Sequence, residues 1–358
     1  MLPWKTFQVR TSTAPYCRDV RIVVADPPAF TPQYDNALAA ALARAGHDVT
    51  LLTSRFRFGD VPPPDGYTRA ESLYPLSSRL RGRSRVRLPV RALEHPLAQR
   101  AVACARGDIV HVQWLAWPQL DTRLRPRNRS VFTAHDLLPR RTAKRTDLWR
   151  ALLRNFDRVV VHSEHGRATL GDLGVDARVI PHPVFPADVE RADNGTTVLA
   201  LGVIRPYKGI GDAVEATRRL GVRLLVAGDP VDADVPAAPH VERRLGYLPD
   251  AEIDRALAQA TVAVFPYRPE LDQSGALLRA LGAGVPAVAY DVGGIAEPLR
   301  RFDAGVVVPA GDVEALADAL RRVLDDPAPF RAGAERARRE LTWDGSAAAH
   351  VALYEDVT

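Results

Sequence analysis

Short apolar runs recur along the chain, and most are followed by a segment with helical spacing. Residues 20–25 (V-R-I-V-V-A) predict a strand. After the loop D-P-P-A-F-T-P, apolar positions at 34–45 fall on one helix face and stop at Gly46. Residues 48–52 predict the next strand. Residues 55–91 show no period, and 93–106 predict a helix. Strands follow at 109–113, 131–134, 158–162 and 177–180. The polar stretch P-A-D-V-E-R-A-D-N-G at 186–195 reads as a linker. A second series then begins, with strands at 197–201, 223–227, 241–245, 262–265, 285–290 and 305–308. Helices are predicted between them at 210–220, 251–260, 276–281, 295–301 and 313–324, and an amphipathic segment runs on from Ser346. Strands alternating with helices predict an α/β protein of two Rossmann-like domains with parallel sheets.

The most informative stretch is 263–297. A buried strand there leads into a loop, and Ser274 can cap the helix that follows, with Gly275 just inside it. A second strand ends in the turn D-V-G-G at 291–294 and opens another short helix. Ligands bind outside the carboxyl ends of strands in such sheets. The free N–H groups at Gln273, Ser274 and Gly275 suit an anion such as a nucleotide diphosphate. The alternative is a turn that links buried elements, with its glycines serving geometry alone.

Charge divides the chain. The balance is +13 over residues 1–186 and −8 over 187–358, so the two halves are expected to do different jobs. Arg79, Arg81, Arg83, Arg85, Arg87 and Arg91 form a dense cationic segment. It fits a solvated loop, or attraction to phosphates or an anionic membrane surface. No aromatic interleaving accompanies it, so nucleic acid is not an expected partner. Cys17 and Cys104 make neither a disulfide framework nor a metal set. No H-E-x-x-H, C-x-x-C or D-x-D occurs, and no metal or cofactor is expected. The first strand lacks a following G-x-G-x-x-G, which argues against a dinucleotide oxidoreductase. Residues 1–19 are polar and read as a loose tail without a signal-peptide core. No run reaches the ~18 apolar residues of a spanning helix, and a cytoplasmic location is expected.

The pieces P-Y-R-P-E, D-Q-S-G-A-L-L, A-L-G-A-G-V-P-A-V-A and D-V-G-G-I-A-E resemble the donor-binding half of GT-B glycosyltransferases of the retaining family 4. G-V-I-R-P-Y-K-G at 202–209 and V-F-T-A-H-D at 131–136 resemble the same family. The resemblance implies an acceptor domain at 20–186, a nucleotide-sugar donor domain at 187–340, and a last helix at 341–358 crossing back to the first. It implies that Arg205 and Lys208 neutralise a leaving diphosphate, that Glu270 holds sugar hydroxyls, and that His135 lines the reaction centre. Gly202, Tyr247, Leu248, Gln273, Ser274, Gly275 and Glu297 fall on the donor side. Thr31 and Asp136 fall on the acceptor side, and Ser163 and His182 match more loosely; Trp114 and Trp117, just after the strand at 109–113, are placed to stack on an acceptor ring or else simply to pack.

The pattern breaks in two places. A-F-T-P replaces the usual paired glycine of the first loop, and Arg279 stands where relatives carry a ribose-gripping glutamate. Arginine cannot accept a hydrogen bond. The expected activity is metal-independent, retaining hexosyl transfer from a nucleotide-diphosphate sugar to a glycan, lipid-linked or small-molecule hydroxyl, in polysaccharide or glycolipid assembly. The protein would be cytoplasmic, either free or peripheral at the inner face of the membrane. The alternatives are a silent nucleotide- or polysaccharide-binding relative and a GT-B sugar-nucleotide epimerase.

Overall fold

The computed structural model describes residues 20–80, 86–138, 142, 144–268 and 273–357. Two parallel sheets organise it. The first contains β1 (Arg21–Asp26), β2 (Asp48–Ser54), β3 (Thr68–Leu73), β4 (Ile109–Val112), β5 (Arg129–Thr133), β6 (Arg158–Val161) and β7 (Ala177–Val179), in the order β3-β2-β1-β4-β5-β6-β7. The second contains β8 (Thr197–Leu201), β9 (Arg223–Gly228), β10 (Val241–Leu245), β11 (Val262–Phe265), β12 (Ala287–Tyr290) and β13 (Gly305–Val308), in the order β10-β9-β8-β11-β12-β13. In each sheet the strand order reverses beside the first strand. That is where a crevice opens at the carboxyl ends of the strands.

The central strands are buried on both faces, because helices cover both sides. This is why they read as unbroken apolar runs. The second sheet has one core, from Val198 through Phe265 to Leu320. The first sheet has a separate core on each face. Helix Trp343–Glu355 supplies Trp343, Ala347, Val351 and Tyr354 to one of them, packing beside Tyr34, Leu38 and Leu42. The end of the chain is therefore built into the core of the first sheet. Tyr354 reaches far enough to hydrogen-bond the buried ring of His111 at 2.7 Å.

Several elements depart from the sequence reading. Residues 55–91 are not wholly irregular, since they hold β3 and the start of helix Arg87–Ala103. β3 lies at the sheet edge, and T-R-A-E-S-L buries only Leu73, so it shows no alternation. Helices Thr146–Leu153 and Glu164–Gly171 were not expected. Helix Ala328–Glu340 was missed because it buries only Gly333, Ala334 and Ala337, leaving no apolar stripe to read. The expected tail at 1–19 and Arg81, Arg83 and Arg85 lie outside the described residues.

Candidate active site

The second sheet brings three strand ends to one place. β8 ends at Leu201, and Gly202 turns the chain with φ +101°. A Cβ at Gly202 would lie 3.2 Å from Ala276 Cβ and 3.5 Å from Lys208 Nζ. Glycine here lets β8, the lysine and helix Gly275–Gly282 converge. Gly209, with φ +63°, packs directly under the Pro266 carbonyl that follows β11.

Lys208 is buried, with its ammonium donating to the Tyr267 hydroxyl and lying 4.4 Å from the centre of that ring. Tyr267 is itself buried and contacts Ser274 Oγ at 3.1 Å. Ser274 caps helix Gly275–Gly282 by accepting from Leu277 N at 3.3 Å. The cation is thus tied through one phenol to the positive end of a helix. Burial pulls the Lys208 pKa down to about 8, and neighbouring Arg205 pushes in the same direction. Arg205 is exposed at the lip of the site. Two cations and a helix N-terminus without a carboxylate among their described contacts form an electropositive seat for an anion.

Gln273 closes the floor. Its Nε2 donates to the Gly294 carbonyl at 3.2 Å, while its buried Oε1 has no hydrogen-bond partner. A buried acceptor left open costs roughly 1–3 kcal/mol, and a hydroxyl or N–H from a ligand would satisfy it. Glu270 and Asp272, expected beside it, lie outside the described residues.

Two expected donor residues reach across the cleft. Glu297 accepts from Glu164 N at 3.0 Å and His165 N at 2.8 Å, capping helix Glu164–Gly171 of the first half. Ser163 caps the same helix by accepting from Gly166 N at 2.8 Å. Tyr247 is 48 % exposed, and its ring lies against Gly59 of the first half. Leu248 packs against the second core. Arg279 pairs with Asp250 at 2.9 Å and Asp254 at 3.2 Å, so its charge is spent on the neighbouring helix Asp250–Gln259.

On the facing side, Thr31, Trp114 and His135 form one wall. Trp114 stacks on His135 at 5.2 Å with planes 13° apart, and its Nε1 donates to Thr31 Oγ1 at 2.7 Å. Thr31 in turn donates to Asp35 Oδ2 at 3.3 Å and, through its N–H, to Asp26 Oδ2 at 3.2 Å. Asp26 and Asp35 are fully buried beside each other, and each keeps a buried Oδ1 without a hydrogen-bond partner. Burial and the Asp26 charge push Asp35 well above the carboxylate range.

His135 sits at the end of β5. His162 Nδ1 donates to the Ile180 carbonyl at 2.8 Å, so His162 Nε2 accepts, and His135 Nδ1 at 3.3 Å must donate to it. His135 Nε2 then accepts, which requires the Gln113 amide to present its NH2 across the 2.9 Å contact. That orientation also gives the buried Gln113 Nε2 the partner it otherwise lacks. Burial, then His162 and His182, push the His135 pKa well below normal; His162 falls to about 4 and His182 to about 3. His135 is therefore neutral with both nitrogens held by protein, and it offers the cleft a ring face and edge.

Trp117 does not join this wall. Its N–H donates to Asp121 Oδ2 at 2.7 Å and its ring packs on His95 at 6.0 Å. Asp136 is exposed beside His135, and His182 packs on Tyr34 at 4.9 Å. Sequence reasoning missed Tyr267, Gln113 and the Asp26–Asp35 pair. Tyr267 had a signal, because a tyrosine directly after a buried strand lies at a ligand end of the sheet. No group of His, Cys, Asp and Glu able to hold a metal occurs among the described residues.

Two parallel α/β sheets facing across a cleft, with the last helix returned to the first, define the GT-B class. Residues 36–187 match the family described as Glycosyltransferase Family 4, and residues 195–326 match Glycosyl transferases group 1. The chain is a GT-B glycosyltransferase of group 1. It is 33% identical over 197 residues to a 2-deoxystreptamine glucosyltransferase of Streptomyces kanamyceticus, a match covering 48% of this chain and 50% of that protein. The chain spans about half the length of the curated relatives it matches. Among solved structures, a sucrose-phosphate synthase from Thermosynechococcus elongatus superposes with TM-score 0.70 at 21% identity, covering 94% of this chain and 98% of that one. An Anabaena protein in complex with UDP-glucose gives TM-score 0.63 at 13% identity, covering 93% and 100%.

Proposed function

We propose that the chain transfers a hexosyl group from a nucleotide-diphosphate sugar to an acceptor hydroxyl, with retention and without a metal ion at the reaction centre. The observation that carries this is the convergence of Lys208, Tyr267, Ser274 and the N-terminus of helix Gly275–Gly282. Lys208 and Arg205 stabilise the departing diphosphate, in the role that preorganised donors play where charge develops. Gln273 Oε1 takes a donor hydroxyl or N–H. The acceptor lies against the Thr31–Trp114–His135 wall and attacks on the leaving-group face, with the diphosphate accepting its proton. The neutral, fully bonded His135 is a wall rather than the base. The UDP-glucose complex of the Anabaena protein supports a nucleotide-sugar donor. With Arg279 paired to Asp250 and Asp254, the ribose is held by backbone or water.

We place the enzyme in the cytoplasm, where the arginine-rich segment 79–91 meets an anionic acceptor or the inner membrane face. No described helix is long and apolar enough to cross a membrane. The test is a thermal-shift series across nucleoside diphosphates and sugar nucleotides. Selective binding at 100 times Kd should stabilise by ~2.7 kcal/mol, and absence of any shift across the series would overturn the reading. The reading as a silent binding protein rests on Arg279. It is separated by release of free nucleotide diphosphate, which transfer requires only when acceptor is present.

A further inference from the structure

The strongest unexplained feature of the first half is a set of arginines with no counter-charge. Arg57 follows β2, at the carboxyl edge of the sheet; Arg87 and Arg91 lie on the inner face of the first turns of helix Arg87–Ala103. Among the described residues none of the three forms an ion pair with a carboxylate. Arg57 donates only to the Leu80 carbonyl at 3.2 Å and lies 4.8 Å from the Phe58 ring centre. Arg91 sits over Tyr74 at 4.4 Å. The buried Arg87 Nε and Arg91 Nη2 atoms have no hydrogen-bond partner. Residues 81–85 are R-G-R-S-R and hold no acid.

The nearby carboxylates are committed elsewhere. Glu94 accepts from Leu76 N at 2.6 Å and Ser77 N at 3.0 Å. Asp121 serves Trp117 N, Gln99 at 2.9 Å and the ring of His95 at 3.1 Å. The helix adds to the field, because its first turn has no acidic residue and no side-chain cap. Burial and the repulsion of Arg57 and Arg91 lower the Arg87 pKa to about 10. A fold gains nothing from gathering like charges that stay unpaired. Arginine forks match phosphate oxygens in pairs.

We propose that Arg57, Arg87 and Arg91 form a phosphate-binding site and that the acceptor is a phosphate ester. The placement fits an acceptor. Arg91, Tyr74, His95 and Asp121 run in contact to the loop carrying Trp117, which leaves the same strand end as Trp114. The outer face of the same helix exposes Leu88, Leu93 and Leu97 at 64%, 80% and 71%. An ester that carries its phosphate on a lipid would lay its apolar part there, while a sugar phosphate would leave the leucines bare. The assignment of an acceptor rests on the transferase reading, whereas the phosphate site does not.

The experiment measures binding of glucose 6-phosphate and inorganic phosphate by calorimetry, with Lys208→Ala present to remove the diphosphate seat. Flotation with phosphatidylglycerol vesicles, across a salt series, runs beside it. Arg57→Gln, Arg87→Gln and Arg91→Gln are combined pairwise in that background and in the otherwise native chain. The expected result is phosphate-ester binding that falls at least tenfold in each double variant. Unfolding temperature should not fall, since a repulsion is being removed. Nucleoside diphosphate binding by the chain that retains Lys208 should be unchanged. Vesicle binding lost with the arginines assigns a lipid phosphate, and soluble ester binding without vesicle binding assigns a sugar phosphate. Equal phosphate affinity in native and double-variant chains overturns the site, as does a lowered unfolding temperature with affinity intact. Failure of nucleotides to bind the native chain overturns the transferase reading alone.

Discussion

Replacing Lys208 by methionine should stabilise the protein and disable it. Lys208 is 8% exposed, and its pKa falls from 10.5 to about 8, chiefly because burial disfavours the charge. A change of that size corresponds to about 3 kcal/mol spent on keeping an ammonium in the site. Methionine has similar length and no charge, and its thioether can lie on the Tyr267 ring. The Tyr267 hydroxyl loses the lysine but keeps Ser274 Oγ at 3.1 Å. A lost hydrogen bond costs ~1 kcal/mol, so a net gain of about 2 kcal/mol is expected at pH 7.

The pH dependence distinguishes this account from simple repacking. The folded-state pKa lies below the unfolded one. Between about 8 and 10.5 the unfolded chain therefore binds more protons, and native stability rises with pH. The cost is fully present below pH 8 and gone above 10.5, so the advantage of Lys208→Met should vanish across that window. Denaturant titrations of both proteins from pH 7 to 10.5 measure it. Turnover should fall in parallel by roughly 3–4 kcal/mol of lost transition-state stabilisation, a factor of 100 or more. In the native enzyme kcat/KM should decline as pH rises through about 8. A variant that is less stable at pH 7 and turns over at the native rate would refute both halves of the argument.

Arg205→Ala should leave unfolding unchanged, because the side chain is exposed, yet slow turnover sharply; near-native turnover would remove it from the diphosphate site. Chelator should leave turnover intact, and a loss restored only by Mg²⁺ or Mn²⁺ would show that metal serves the reaction. Glu297→Ala breaks the two N–H bonds that cap helix Glu164–Gly171 across the cleft. It should raise the radius of gyration of the unliganded protein in small-angle scattering, and an unchanged radius would show that this bond does not hold the halves together.

The second sheet was legible because β8, β9, β11 and β12 are buried on both faces and its turns are punctuated by glycine and proline. β11 and the Ser274 cap fall where periodicity and capping placed them, and the G-V-I-R-P-Y-K-G turn, read from the family resemblance, falls between β8 and helix Ile210–Leu220. The first half was harder for a physical reason. β3 is a polar edge strand, and helix Arg87–Ala103 exposes Leu88, Leu93 and Leu97 while Arg87 and Arg91 are half-buried and Glu94 and His95 are buried. Such a helix reverses the pattern on which sequence reading depends, so its N-terminal turns looked like a charged loop. The partner of Glu297 could not be read at all. A glutamate in a G-G-x-x-E turn carries no local sign that two backbone N–H groups from 132 and 133 residues away will take it.

Three of the costs that remain in this fold lie close to strand ends. Lys208 holds a charge in a buried place, Gln273 Oε1 is left without a donor, and Arg57, Arg87 and Arg91 repel one another. Each would be removed by a single conservative substitution to a neutral or apolar residue, with stability expected to rise. Each lies past the carboxyl end of a parallel strand or on the helix beside it, and each is short of an anion, a hydroxyl or an N–H. Asp26 and Asp35 are equally buried, and both accept from Thr31. The proposed diphosphate seat of the second half and the proposed phosphate site of the first would each relieve one of these costs. A transferase joining a nucleotide sugar to a phosphorylated acceptor satisfies both at once, whereas a nucleotide-binding protein satisfies only the first.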